Sequence, residues 1–214
     1  MWRASRSRHG RLWRASPIGL PGCTPAWWVL ASGDRPHLPA PTRGTAGAPR
    51  DRLQHRIPAG PGHPTWQFDD VCSALAHIGT LGNPPVVLGH CAGGHLALLA
   101  AIHRPELMRA CLAIAPITDL RAAEIADADD GAVPAFLGSP AADHPDLDPA
   151  RLPRPDIDFV VMHGARDIRV PVTMSHDYGE TTTQDVGHFE WVDPRTNACA
   201  LIINQALTWA VPAR

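Results

Sequence analysis

Apolar positions along the chain alternate between two patterns, one helical and one of short unbroken runs. Phe68, Val71, Cys72, Leu75 and Ile78 recur every three or four residues, which predicts an amphipathic helix over 66–79. Gly79 and the Gly82-Asn83-Pro84 turn close it. Val86-Val87-Leu88 is a continuous apolar run, the pattern of a strand covered on both faces. A helix rich in Ala and Leu is expected over 92–103, stopped before Pro105. A second buried strand follows over 110–115, ended by Pro116, and short helices are expected over 119–126 and 131–137. The third buried strand runs over 157–162 and ends at His163-Gly164. A helix over 171–178 begins with Pro at its first position. Residues 181–186 leave room for a short strand, and 195–210 read as a final helix with Ala200, Ile203, Ala206, Leu207 and Ala210 along one side.

Apolar strands alternating with helices define the α/β class. The expected architecture is a three-layer sandwich, a mostly parallel sheet with helices on both faces. Ligands bind such sheets beyond the carboxyl ends of the strands. That directs attention to 89–92, 116–119, 164–169 and 187–190.

The first 65 residues break this rhythm. Ten prolines between Pro17 and Pro64 interrupt any helix and most central strands. The one compact apolar run, Ala26-Trp27-Trp28-Val29-Leu30, fits a strand or a short helix. The chain therefore divides into an irregular Arg/Pro-rich part, 1–65, belonging to the fold or forming an unrelated head, and a regular core, 66–214.

Composition narrows the chemistry. A chain of 214 residues with 44% apolar and 19% charged residues suits one globular domain. Ten of its arginines lie in residues 1–60, against only Asp34 and Asp51. No aromatic-basic reader motif accompanies them, so no nucleic-acid partner is expected. Lysine is absent, which excludes a P-loop lysine, a Schiff base to a pyridoxal cofactor and a Ser-Lys dyad. Five cysteines occur without a C-x-x-C pair, and twelve histidines without H-E-x-x-H or H-x-H spacing. Neither a disulfide framework, nor a metal, nor another cofactor is expected. No apolar run approaches membrane length, and no signal-length apolar stretch follows the early arginines. A cytoplasmic setting, a small-molecule partner and no membrane contact follow as expectations, with the oligomeric state open.

The densest chemical signal is Gly89-His90-Cys91-Ala92-Gly93-Gly94, between a buried strand and a helix. G-x-C-x-G in that context is a nucleophile elbow, a turn so sharp that the neighbours of the nucleophile must be small. Such a turn lifts the Cys91 thiol above the sheet, at a helix N-terminus that favours a thiolate and an oxyanion. The bland alternative is a structural cysteine in a glycine-rich turn. Downstream, Asp167 follows the third strand and His188 precedes the last helix. The order nucleophile, acid, histidine is the order of such enzymes. Asp167 would hold the imidazole by Nδ1–H, leaving Nε2 to take the Cys91 proton.

The segments GHCAGGHLAL (89–98), AIAPITDLRAA (113–123), DGAVPAFLGSP (130–140), VVMHGARDIRVPV (160–172) and GHFEWVDP (187–194) resemble the small bacterial esterases of the α/β-hydrolase superfamily and their kynurenine-formamidase-like (arylformamidase) branch. The resemblance covers roughly the C-terminal two-thirds of the chain. It implies a triad of Cys91, Asp167 and His188 with the Ala92 amide as one oxyanion donor. It also implies a second donor from an H-G-G-x-W type loop. His9-Gly10-Arg11-Leu12-Trp13-Arg14 is similar to that loop, which places the second donor at Arg11 or Leu12.

Three departures stand against the resemblance. Cys91 occupies the position of a serine. Only eight residues precede His9, so the first strands of the usual sheet are expected to be missing. The stretch from Val170 to Gly187 is short for a helix and a whole strand, and loss of that strand would keep His188 from Cys91. Two readings therefore compete: a hydrolase of esters or aryl and formyl amides, and a catalytically impaired relative that binds a ligand or partner. A metal- or nucleic-acid-binding protein, suggested by the histidines and the basic head, is the third and weakest.

Overall fold

The structure, a computed structural model, describes residues 4–7, 10–13, 27–30, 50–51, 65–80, 83–128 and 131–210. For the first four of these segments, and at Trp66 and Ala210, it describes the backbone only. Eight strands and six α-helices follow in chain order: β1 (Ala4–Ser7), β2 (Gly10–Trp13), β3 (Trp27–Leu30), β4 (Arg50–Asp51), α1 (Thr65–Gly79), β5 (Val86–His90), α2 (Ala92–His103), β6 (Ala110–Ile114), α3 (Leu120–Ile125), α4 (Ala132–Leu137), β7 (Asp158–Gly164), α5 (Val172–Tyr178), β8 (Thr181–Gln184) and α6 (Asn197–Ala210).

Among the described residues the main sheet has six strands in the order β4-β3-β5-β6-β7-β8. β5 to β8 are parallel, joined in register through pairs such as Leu88 with Leu112, Leu112 with Val160 and Val161 with Thr181. β3 runs antiparallel to β5, and β4 antiparallel to β3. The run at 27–30, open between strand and helix in the sequence, is thus a sheet strand, and the Arg/Pro-rich part contributes two strands to the same sheet. β1 and β2 form a separate two-stranded ribbon.

Alternation along the parallel strands sorts their side chains into two cores. Val87, Cys111, Ala113 and Val161 face α1, α2 and α5, where they meet Leu75, Leu96, Leu98 and Met174. Val86, Leu88, Leu112, Ile114 and Met162 face the other way, onto Trp191 and α6. Both faces are covered, which is why these strands read as unbroken apolar runs. Leu75 and Leu99 have no exposed area, and α2 is buried over most of its length.

Two expectations are corrected. The buried stripe of α6 is Ala198, Ile202 and Ala206; Ala200, Ile203 and Leu207 are only half-buried. Adjacent Ile202 and Ile203 sit about 100° apart around a helix of 3.6 residues per turn, so the core takes one fully and grazes the other. β7 extends two residues past its expected end, because His163 and Gly164 continue pairing with Thr183 and Gln184 of β8. The shortened segment after Val170 keeps a four-residue strand, so the loop that carries His188 still starts from the sheet. Among the described residues no helix is long and apolar enough to cross a membrane.

Candidate active site

The carboxyl ends of β5, β7 and β8 bring the candidate residues to one edge of the sheet. Cys91 follows β5 directly and caps α2 with φ 58° and ψ −126°, a conformation that L-residues seldom adopt. The strain is held by its surroundings. The Cys91 amide donates to the Ile114 carbonyl at 2.9 Å, and the Cys91 carbonyl accepts from the His95 amide at 3.1 Å. Gly89 makes the turn possible, since a Cβ there would stand 2.1 Å from the Gly93 carbonyl oxygen. Gly94 sits against Pro116, where a Cβ would meet the proline ring at 2.9 Å. Cys91 itself is 4% exposed, and Ala92 opens the first turn of α2, where backbone N–H groups lack intrahelical partners.

Asp167 lies in the turn after β7 and His188 in the loop after β8. Their link is short: His188 Nδ1–H donates to Asp167 Oδ2 at 2.6 Å. Asp167 Oδ1 accepts from the amides of Arg169 and Val170 at 2.9 and 3.0 Å. Burial acts to raise this carboxyl, but hydrogen bonds from His163, His188 and the Val170 amide outweigh it and hold it well below the usual carboxylate range. Asp167 is therefore an anion at neutral pH, and in the neutral His188 ring this bond keeps the proton on Nδ1 and leaves Nε2 as the acceptor. The β7 and β8 loops meet at Gly164, where a Cβ would stand 2.3 Å from the Val186 carbonyl oxygen.

His90 was read from the sequence only as the spacer between Gly89 and Cys91. Its Nε2–H donates to the His188 carbonyl at 2.8 Å, and the two rings lie 4.5 Å apart. The residue before Cys91 thus grips the residue that Asp167 orients. The signal was present: a histidine ending an apolar strand must spend its polar atoms on something nearby. Two further buried polar residues lie behind this pair: His163 adjoins Asp167, and Ser175 adjoins His163.

Arg11 and Leu12, expected to offer the second oxyanion donor, lie on β2 in the two-stranded ribbon, paired with Arg6 and Ser5. Their side chains, and all of His9 and Arg14, fall outside the described residues. Ile168 and Phe189, next in sequence to Asp167 and His188, are exposed. A cavity of about 300 Å³ opens between α3 and α5, lined by Asp119, Ala122, Arg154, Thr173, Met174 and Tyr178 among others. None of Cys91, Asp167 and His188 lines it. Among the described residues no group of three or more His, Cys, Asp or Glu side chains is arranged to hold a metal ion.

The buried histidines carry a pH consequence. Burial pushes His90 down to about 4, helped by the neighbouring His188, and burial pushes His95 down to about 4 as well. The unfolded chain takes up these protons near 6.5 and the folded chain only near 4. Folding stability is expected to be full above pH 6.5 and to fall between pH 6.5 and 4, by up to about 1.4 kcal/mol per pH unit for each histidine. Urea unfolding at pH 7.0 and about 5 checks this; an unchanged midpoint would mean that neither imidazole is kept neutral.

No protein-family model matches the chain, and neither does any curated protein. Solved structures do. Dipeptidyl peptidase 4 of Porphyromonas gingivalis is similar at 16% identity and a TM-score of 0.56, over 75% of this chain and 24% of that one. An esterase/lipase from an uncultured bacterium is similar at 18% identity and 0.54, over 76% and 67%. The monoacylglycerol lipase of Paleococcus ferrophilus is similar at 14% identity and 0.52, over 76% and 79%. The chain spans about a quarter of the peptidase's length. Together with the parallel four-strand core and its two helical layers, these likenesses define an α/β-hydrolase fold, incomplete among the described residues.

Proposed function

We propose that this chain hydrolyses carboxylic esters or aryl and formyl amides through Cys91, His188 and Asp167, by way of a covalent acyl-enzyme. The reading is supported above all by one arrangement. The imidazole oriented by a buried carboxylate at 2.6 Å is also gripped, through its backbone, by the residue adjoining a strained Cys91. A structural cysteine requires neither the strain nor the ordered pair.

In this mechanism His188 Nε2 takes the proton from Cys91 Sγ as the thiolate adds to the substrate carbonyl carbon. The resulting oxyanion is met by the Ala92 amide at the start of α2, with a second donor assigned to Arg11 or Leu12. Collapse of the tetrahedral intermediate expels the alcohol or amine, which leaves with the proton from His188, and Cys91 remains as a thioester. Water then adds to that thioester with His188 again as base, releasing the acid and restoring the thiol. Asp167 stays ionised throughout and stabilises the imidazolium formed in each half.

Mixing the protein with p-nitrophenyl acetate is expected to give a burst of p-nitrophenol, one equivalent per active chain, followed by slower turnover. Peptide mapping should find the acetyl group on Cys91, and prior treatment with iodoacetamide should abolish the burst. Absence of a burst, together with failure of iodoacetamide to label Cys91, would reject the reading.

A further inference from the structure

Asp167 is held by two histidines. Besides His188, the ring of His163 at the end of β7 reaches the same oxygen, with Nε2 3.2 Å from Asp167 Oδ2. His163 Nε2 also lies 3.0 Å from the Val170 carbonyl. A carbonyl only accepts, so Nε2 carries the proton and shares it between Val170 and Asp167. In the neutral ring His163 Nδ1 is then an acceptor, and Ser175 Oγ–H donates to it at 2.7 Å. The result is a continuous chain in which Ser175 donates to His163, His163 donates to Asp167, and His188 donates to Asp167 from the other side.

Every link is shielded from water. Ser175 and His163 have no exposed area, the Asp167 side chain has none, and that of His188 has 3%. Ser175 is for that reason the end of a hydrogen-bond chain and not a second nucleophile. The Ser175 carbonyl in turn accepts from Thr181 Oγ1 at 2.8 Å, which ties α5 to the first residue of β8, the strand that leads to His188. Among the described residues, Asp167 Oδ1 thus meets two backbone amides and Oδ2 two imidazoles.

We infer that His163 and Ser175 are positioning residues of the active site, which set the orientation of the Asp167 carboxylate and the share of its charge that reaches His188. The inference rests on the reading of His188 as the catalytic base. With His163 removed, Oδ2 loses one of its two side-chain donors and the carboxylate can swing about the remaining contacts. Its charge then falls more fully on the His188 imidazolium whenever the two align, which favours the protonated imidazole.

For ester turnover, His163→Leu is expected to lower kcat about 10- to 100-fold with KM within about 3-fold. The acidic limb of its pH–rate profile should move to higher pH. His163→Gln, whose amide N–H replaces the lost donor, should recover most of the rate and return the limb toward its wild-type position. The second readout needs no turnover. The proton of the 2.6 Å His188–Asp167 bond is expected far downfield in the proton NMR spectrum of the resting protein, assigned by its loss in His188→Ala. It should shift in His163→Leu and return in His163→Gln. Ser175→Ala serves where His163→Leu does not fold, with a smaller shift of the same kind. An unmoved resonance in the folded variants, or a wild-type pH profile in His163→Leu, overturns the inference. A wild-type protein without turnover overturns the proposed function alone, and the resonance then decides the role of His163.

Discussion

Cys91→Ala is expected to lower the kcat for p-nitrophenyl acetate by at least about 10⁴-fold, leaving only the slow background of a bound ester in water. The size of the effect follows from what is lost. In the proposed mechanism His188 and Asp167, tied to each other at 2.6 Å, serve as base and orienting group, and the attacking atom is Cys91 Sγ. Folding should survive the change. Alanine replaces a side chain already 4% exposed, and the cost is that of a small cavity, about 1–2 kcal/mol. A thermal melt of the variant beside its rate separates the two effects. Retention of most of the wild-type rate in a folded Cys91→Ala protein would move the chemistry elsewhere.

Cys91→Ser sharpens this result. Serine keeps the shape and the turn but presents a hydroxyl that reacts only as the base removes its proton. In a competent site, where Asp167 and His188 are aligned, the serine variant turns over. Wild type and the serine variant both inert, with a ligand still raising the melting temperature, would favour a binding domain built on the same fold.

The second large effect is expected at the carboxylate. Asp167→Asn should lower kcat by about 10⁴-fold, the loss typical of a triad whose histidine is left in the wrong tautomer. The amide offers one acceptor oxygen where the carboxylate offers two. If it faces the Arg169 and Val170 amides, its NH₂ group points at His188 and His163. His188 Nδ1 must then accept, its proton moves to Nε2, and the base can no longer take a proton from Cys91. His163 already donates and meets a second donor, so stability should fall together with rate. The charge also ties stability to pH. Folding holds this carboxyl below its ordinary 3.8, so in that range the unfolded chain binds more protons than the folded one. Its contribution is full above about pH 4–5 and is lost as pH falls through the depressed value of the folded state. Acid unfolding monitored by circular dichroism should show a shallower dependence below pH 4 in Asp167→Asn. An identical acid transition in both proteins would contradict the buried carboxylate.

Much of the fold could be read without coordinates because its determinants are local. The helix over 92–103 matches α2 residue for residue, since Ala and Leu favour it and Pro105 ends it. Val86-Val87-Leu88 and the run from Ala110 lack alternation because helices cover both faces, and that lack identified a parallel sheet. Gly89, Gly93 and Gly94 around Cys91 pointed to a turn too tight for side chains, and the 2.1 Å that a Cβ at Gly89 would leave gives the reason.

Other features lay beyond reach. Ala26 to Leu30 is too short for periodicity to decide, and only pairing with β5, more than fifty residues later, makes Trp27–Leu30 a strand. The buried face of α6 depended on which of two adjacent isoleucines met Trp191 and the sheet. Twelve histidines are equivalent in the sequence. His90 acquires its task from the His188 carbonyl, 98 positions away in the chain. His163 acquires its own from Asp167, Val170 and Ser175 together.

The sequence by itself therefore determined the class of fold, the position of the sharp turn and the order of the candidate groups. Those depend on periodicity and on side chains too small or too rigid to allow another backbone. Tertiary structure alone decided which imidazoles share the Asp167 carboxylate and which strands complete the sheet. Hydrogen bonds between distant segments form only once packing has excluded water and brought donors such as His90 Nε2 and His163 Nε2 within reach of acceptors on other segments.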